Sequence, residues 1–383
     1  MARTWPVTRR KRMLLSAFDF VARPLAPVLL REKRAPSDEV RKILVLELWH
    51  MGDVVLATSV LQSLRTMYPR AHITLLAKEH ARELLEASGL ADEIVTYDFP
   101  WTASESKYDP ARYDASSIRN LVRRLRAEQF DVSIDCRMDL RSNALTASIG
   151  ARRRIGYDFG GGSFMLTDAV AAPPADQHKV DDWMGLLPPL RNTLNEGIPP
   201  APEPKLAVTD RERADAARLL ASYDVGSDDI IVGIHPGGSH EGKRWPTDNF
   251  AELGRRLAQH DRVRLVVLVD PDGCGSDMQL ENAIVVRTSI REMMAMFTQC
   301  DLVVCNDSGP MHIAAALGIP VVAVFRTGSP AAYGPRGLNH TVVGSGAAWG
   351  QVSDVPFDDV LSAAESALSV VRADSVINDR ARA

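Results

Sequence analysis

The chain has 383 residues, 45% hydrophobic and 25% charged, proportions of a globular protein long enough for two domains and with little room for extensive disorder. Its formal net charge of −4 is unevenly spread: residues 1–42 hold 11 Lys and Arg against 4 Asp and Glu, so the remainder carries −11, and an acidic body argues against a nucleic-acid groove there. The four cysteines, Cys136, Cys274, Cys300 and Cys305, form neither a C-x-x-C pair nor a framework spacing, which points to a reducing, cytoplasmic compartment and no structural zinc.

The chain opens with a basic arm, residues 1–41. Within it MLLSAFDFVARPLAPVLL (13–30) is apolar, but Asp19, Arg23, Pro24 and Pro27 interrupt it, and the uninterrupted stretch of about 18 apolar residues needed for a span is missing. Basic flanks, RRKR and REKR, make residues 9–34 suitable for lying at an anionic membrane surface, such as the inner face of the plasma membrane; an extension that packs on a domain is the other reading.

From residue 42 short β-branched runs alternate with helical patterns. KILVLEL (42–48) reads as a buried strand, DVVLATSVLQSLRTMY (53–68) as a helix, AHITLLA (71–77) as a strand and EHARELLEAS (79–88) as a helix. EIVTY, a helix around SIRNLVRRLRAEQ, and DVSIDC continue the series. A second series starts at IIVGIH (230–235) and runs through NFAELGRRLAQH, VRLVVLV, REMMAMFTQC, DLVVC, HIAAALG and IPVVAVF. Between the two, prolines at 173, 174, 188, 189, 199, 200, 202 and 204 mark a linker region. The expectation is an α/β protein of two Rossmann-like, doubly wound domains facing across a cleft. Its parts are the arm, a first domain over 42–185, a linker over 186–229, a second domain over 230–350, and a C-terminal helix and tail over 351–383. In such sheets ligands sit beyond the carboxyl ends of the strands, and the polar motifs of this chain fall there.

Three motifs carry candidate chemistry. In NDSGPMHIAAALG (306–318), strand DLVVC gives way to a helix in which Pro310 suits the first position, with Ser308 or Gly309 as the cap. The free N–H groups and positive dipole end of that turn form an anion site; Asp307 would meet a sugar or ribose hydroxyl, and His312 could point at the same ligand. Capping by Asp307 and Ser308, with a surface His312, is the plainer alternative. In HPGGSHEGKRWP (235–246), the glycines allow close backbone approach and Lys243 offers a point charge for phosphate, although an exposed turn looks the same in sequence and no Walker A spacing is present. In WHMGD (49–53), Asp53 precedes a helix, as a cap would, and also stands at a strand's carboxyl edge, where an ionised carboxylate could take a proton from an attacking hydroxyl. DPD (270–272) is a fourth candidate, for a divalent ion, but DPDGCG reads better as a loop.

Taken together in this order, the three motifs resemble the heptosyltransferase family of glycosyltransferases, over about residues 42–345. KILVLELWHMGDVVLATSVLQSLRTMYPRAHITLL is similar to the family's opening, SNALTASIGARRRIGYDF (142–159) to its mid-domain stretch, and HPGGSHEGKRWPTDNFAELGRRL and NDSGPMHIAAALGIPVVAVF to its two donor-site motifs. The resemblance implies a GT-B fold and an inverting, metal-independent transferase without a cofactor. Asp53 would be the general base, and Ser239 and Lys243 would contact the diphosphate. Asp307, Ser308, Gly309, Pro310 and His312 would form the donor pocket, and Gly52, Arg137 and Arg141 would lie on the acceptor side. ADP-heptose is the donor so implied, with a lipid-linked or oligosaccharide acceptor of the lipopolysaccharide-core kind. Two departures stand out: Glu47 occupies a position where the family usually has a basic residue, and DPDGCGSD replaces a glycine-rich turn whose glutamate holds ribose, leaving Asp272 as the substitute. A nucleotide-sugar 2-epimerase and an inactive sugar-nucleotide-binding scaffold are the competing readings. A nicotinamide-dependent dehydrogenase is disfavoured because neither half has G-x-G-x-x-G after its first strand.

Overall fold

The computed structural model describes residues 39–102, 113–174, 177–190, 200–270, 273–344 and 351–382, with only the backbone for 374–382. The arm segment 9–34 and Asp272 lie outside the described residues, so their expected roles are not addressed by it. The chain divides into two compact units, residues 1–202 and 203–383.

In the first unit β1 (Lys42–Glu47), β2 (His72–Ala77), β3 (Glu93–Thr96), β4 (Val132–Asp135), β5 (Arg153–Tyr157) and β6 (Asp168–Val170) form one parallel sheet in the order β3-β2-β1-β4-β5-β6. In the second, β7 (Ile230–His235), β8 (Val263–Val269), β9 (Ile284–Arg287), β10 (Leu302–Asn306), β11 (Val321–Val324) and β12 (His340–Val343) repeat that order as β9-β8-β7-β10-β11-β12. Both are the doubly wound Rossmann arrangement, in which strand order reverses beside the first strand and leaves a crevice at the carboxyl edge. The edge of the first crevice is marked by Glu47 of β1 and Asp135 of β4, and that of the second by His235 of β7 and Asn306 of β10.

Central strands are apolar along their length because helices cover both faces: Ile43, Leu44, Val45 and Leu46 are completely buried, as are Leu302, Val303, Val304 and Cys305. In the second unit Trp245 anchors the core, edge-on to Phe250 at 5.1 Å and stacked on Phe357 at 6.1 Å. Phe357 opens the long C-terminal helix Phe357–Arg382, which packs against β10, β11 and β12. This helix, expected with a tail over 351–383, falls in the second unit. The expected linker 186–229 is likewise divided at Pro202: its helix Asp210–Ala221 packs on the helix Ile290–Phe297, fixed by Glu212 pairing with Arg291 through Nε at 2.7 Å. Among the described residues no helix is long and apolar enough to cross a membrane.

Candidate active site

The second unit gathers most of the candidate residues at one strand edge. Asn306, the fully buried last residue of β10, donates from Nδ2 to the carbonyls of Pro236 (2.7 Å) and Gly237 (3.0 Å) and accepts the Trp245 N–H at Oδ1 (2.9 Å). One side chain thus ties both ends of the loop 236–246 to the neighbouring strand. Gly237 leaves no room for a side chain, since a Cβ there would stand 1.8 Å from Oδ2 of Asp270. That same oxygen accepts the Gly238 N–H at 3.1 Å, while Arg244 donates to the Gly238 carbonyl from Nε (2.9 Å) and Nη2 (2.8 Å). Asp270 Oδ1 lies 3.1 Å from His235 Nε2. The loop is a fastened structure, not the open turn that its composition also allowed.

The fastening delivers Lys243. Its Nζ lies 2.8 Å from Oδ2 of Asp307, a contact in which the carboxylate is almost wholly buried. Asp307 therefore binds the lysine and does not cap the next helix. That helix, Gly309–Ala316, has Ser308 at its N-cap position, Gly309 first and Pro310 second, one place later than expected. Ser308 Oγ makes no capping bond; it is buried and meets no partner among the described residues. An uncapped first turn with a buried hydroxyl beside it, next to a lysine, offers the N–H donors and positive charge that suit an anion. His312, expected on the surface under the capping alternative, is only 6% exposed. Ser239 is exposed on the same loop and makes no hydrogen bond among the described residues. Burial and the neighbouring Lys243 cation hold His240 below the usual histidine range, so it is neutral at physiological pH.

In the first unit Gly52 and Asp53 are the second and third residues of the helix Met51–Met67, directly beyond β1. Asp53 Oδ2 accepts the His50 N–H at 3.2 Å, so it does help to close the helix start, as its position suggested. It is only partly covered, and burial raises its pKa above the ordinary aspartate range, opposed by His50 and, more weakly, by Lys179 and Arg137. Arg137 follows β4; its guanidinium sits 4.6 Å from the Trp49 ring centre, with Nη1 donating to the Leu48 carbonyl at 3.3 Å. Arg141, the third acceptor-side candidate, is committed to Asp139 through Nε (2.9 Å) and Nη2 (2.7 Å). Asp135 is completely buried, and burial pushes it up to about 6 against the Ser142 hydroxyl, which donates to it at 2.6 Å. Among the described residues there is no cluster of three or more His, Cys, Asp or Glu arranged to hold a metal ion.

Asn306 has no assigned role in the sequence reading, and Asp270 only that of a candidate ion ligand, yet with Gly237 they place the lysine. Asn306 leads the quoted motif, and an amide as the last residue of an apolar strand was the available signal. Asp270 stands at the start of DPDGCG, where its role is to hold the preceding loop.

The model of glycosyltransferase family 9 (heptosyltransferase) matches residues 118–354, more than half of the chain. The protein belongs to this family. It is therefore a glycosyltransferase, and the two units are those of the GT-B fold. The chain is 25% identical to lipopolysaccharide heptosyltransferase 2 of Escherichia coli over 308 residues, covering 76% of this chain and 84% of that protein. The solved structure of Escherichia coli ADP-heptose LPS heptosyltransferase II superposes with a TM-score of 0.69 at 22% identity, covering 85% of this chain and 98% of that one. An Escherichia coli heptosyltransferase solved with ADP superposes at 0.65 and 18% identity, covering 85% and 99%.

Proposed function

We propose that this family 9 glycosyltransferase moves heptose from ADP-heptose onto a lipopolysaccharide-core or related glycan acceptor, inverting the anomeric carbon. The observation that supports the donor half is the buried Ser308 hydroxyl, without a partner among the described residues, beside the uncapped helix start and Lys243. An arriving diphosphate takes the helix N–H groups and competes with Asp307 for Lys243. Asp307, released, is placed to accept from a sugar hydroxyl. The names of the relatives, lipopolysaccharide heptosyltransferase 2 and ADP-heptose LPS heptosyltransferase II, support the choice of donor and acceptor.

In the reaction an acceptor hydroxyl oxygen bonds to the anomeric carbon from the face opposite the nucleotide. The bond from that carbon to the diphosphate oxygen breaks, its electron pair leaves with ADP, and Asp53 takes the hydroxyl proton. Burial makes Asp53 a stronger base than a solvated aspartate. Charge building on the departing diphosphate is met by Lys243 and the helix dipole, so the mechanism calls on no metal; loss of one such contact costs on the order of a hundredfold in rate. The basic segment 9–34 brings the enzyme to the inner membrane face, where a lipid-linked acceptor resides. Deleting residues 1–40 without change in liposome binding removes that last element.

Calorimetric titration with ADP-heptose, ADP, UDP and GDP in EDTA tests the donor half. Binding of the ADP compounds, weakened in Lys243→Ala, is the expected result. Binding of UDP or GDP alone assigns another donor, and absence of all nucleotide binding rejects the proposal.

A further inference from the structure

The strand edge beside Asp53 carries a second carboxyl that the proposed reaction does not use. Glu47 is the last residue of β1 and is completely buried. Its Oε1 accepts the Trp49 backbone N–H at 3.0 Å, and its Oε2 is buried with no partner among the described residues. No cation makes an ion pair with it there: Arg137, which contributes favourably from a distance, is engaged with the Leu48 carbonyl and the Trp49 ring. A carboxylate stripped of water, with one backbone hydrogen bond and no counter-ion, is a poor place for a charge. A neutral acid in the same place leaves one hydroxyl to settle.

Asp53 is the nearby acid. The groups acting on this pair are few: His50 and Asp53 from the helix start, Asp135, Cys136 and Arg137 from β4 and the loop after it, and Lys179. Burial is the main cause that pushes Glu47 well above the usual carboxylate range, and the Asp53 charge is the next. Both acids take one backbone N–H and feel the Arg137 charge, but Asp53 has what Glu47 lacks: partial exposure and favourable fields from His50 and Lys179. Two neighbouring carboxyls of such unequal surroundings divide one proton unequally.

We propose that Glu47 is a positioning residue for Asp53: at neutral pH it carries the one proton of the pair, so that the negative charge and the basicity reside on Asp53. The inference rests on the reading of Asp53 as the general base. Ionising Glu47 sets a second buried anion in the field of Asp53, so the singly protonated pair is the productive form and activity falls on the alkaline side.

Isotope-edited infrared spectroscopy on the full-length protein, with labelled glutamate, tests the protonation directly. A protonated-carboxyl band at neutral pH that disappears in Glu47→Gln is expected; the same band disappearing on raising the pH of the wild-type protein gives the reading without any variant. A transfer pH profile supplies the catalytic half. Glu47→Gln, which copies the neutral acid, should keep kcat/KM at neutral pH within about threefold of wild type and lose the alkaline fall. A purely structural glutamate would leave the alkaline limb where it is. No band at neutral pH, an unmoved limb, or a folded but inactive Glu47→Gln overturns the proposal. Asp53→Asn separates the two ideas: retained activity there sinks the general-base reading itself, whereas an inactive Asp53→Asn together with an unmoved limb sinks only the role of Glu47.

Discussion

Replacing Asn306 with alanine removes the clamp that holds the lysine loop to β10. Three hydrogen bonds go at once, to Pro236 O, Gly237 O and Trp245 N, and all three residues are buried, so water does not readily replace the lost partner. Each bond lost with its buried partner stranded costs about 1–1.5 kcal/mol, which places the total at about 3–5 kcal/mol. Urea unfolding of the full chain, followed by tryptophan fluorescence with Trp245 as a buried reporter, should show a loss of that size in the transition of the second unit. Nucleotide affinity should fall with it, because Lys243 is delivered by the same loop. Asn306→Asp keeps the acceptor for Trp245 but sets a carboxylate oxygen against two carbonyls, and should be destabilised as well. A loss below about 1 kcal/mol in Asn306→Ala, with nucleotide affinity intact, would refute the clamp.

Two further expectations concern the same unit. Gly237→Ala cannot be accommodated beside Asp270 without moving the loop, since its Cβ would fall 1.8 Å from Oδ2; nucleotide binding measured by calorimetry should weaken about tenfold or more even where the protein stays folded. Glu212 is held down to about 2, chiefly by the Arg291 guanidinium, so its contribution is present above the usual glutamate value and is lost as pH falls through 4.5 towards 2. Glu212→Gln should therefore cost about 2 kcal/mol at pH 7 by chemical denaturation, and the gap to wild type should close in acid.

Much of the fold was readable because parallel strands buried on both faces are written as unbroken apolar runs; IIVGIH and VRLVVLV coincide with β7 and β8 to the residue. Two elements that went unread, β5 and the helix Leu140–Ile149, bury polar side chains. β5 reads RRIGY: Arg153 is satisfied by Asp168, and the buried Arg154 donates to the carbonyls of Met165 (2.8 Å) and Ala151 (2.9 Å). The helix Leu140–Ile149 buries Ser142, Asn143 and Thr146, so it shows no apolar stripe; Ser142 is matched to Asp135 and Asn143 donates to Gly161 O at 2.9 Å. Partners that lie far away in sequence make these residues buriable, and periodicity has no access to them. The candidate site divides the same way. Glycine, lysine and the helix start could be read locally, whereas the Lys243–Asp307 pair and the Asn306 clamp depend on β7 and β10 being neighbours.

Transfer itself is the most direct test. The purified full-length protein is mixed with ADP-heptose and a heptose-deficient lipopolysaccharide core, and glycan mass and ADP release are followed together, with Asp53→Asn in parallel. The account predicts one added heptose per ADP released in the wild-type protein, with the variant slowed by at least about a hundredfold. Release of an epimerised nucleotide sugar without acceptor, or full transfer by Asp53→Asn, would contradict it.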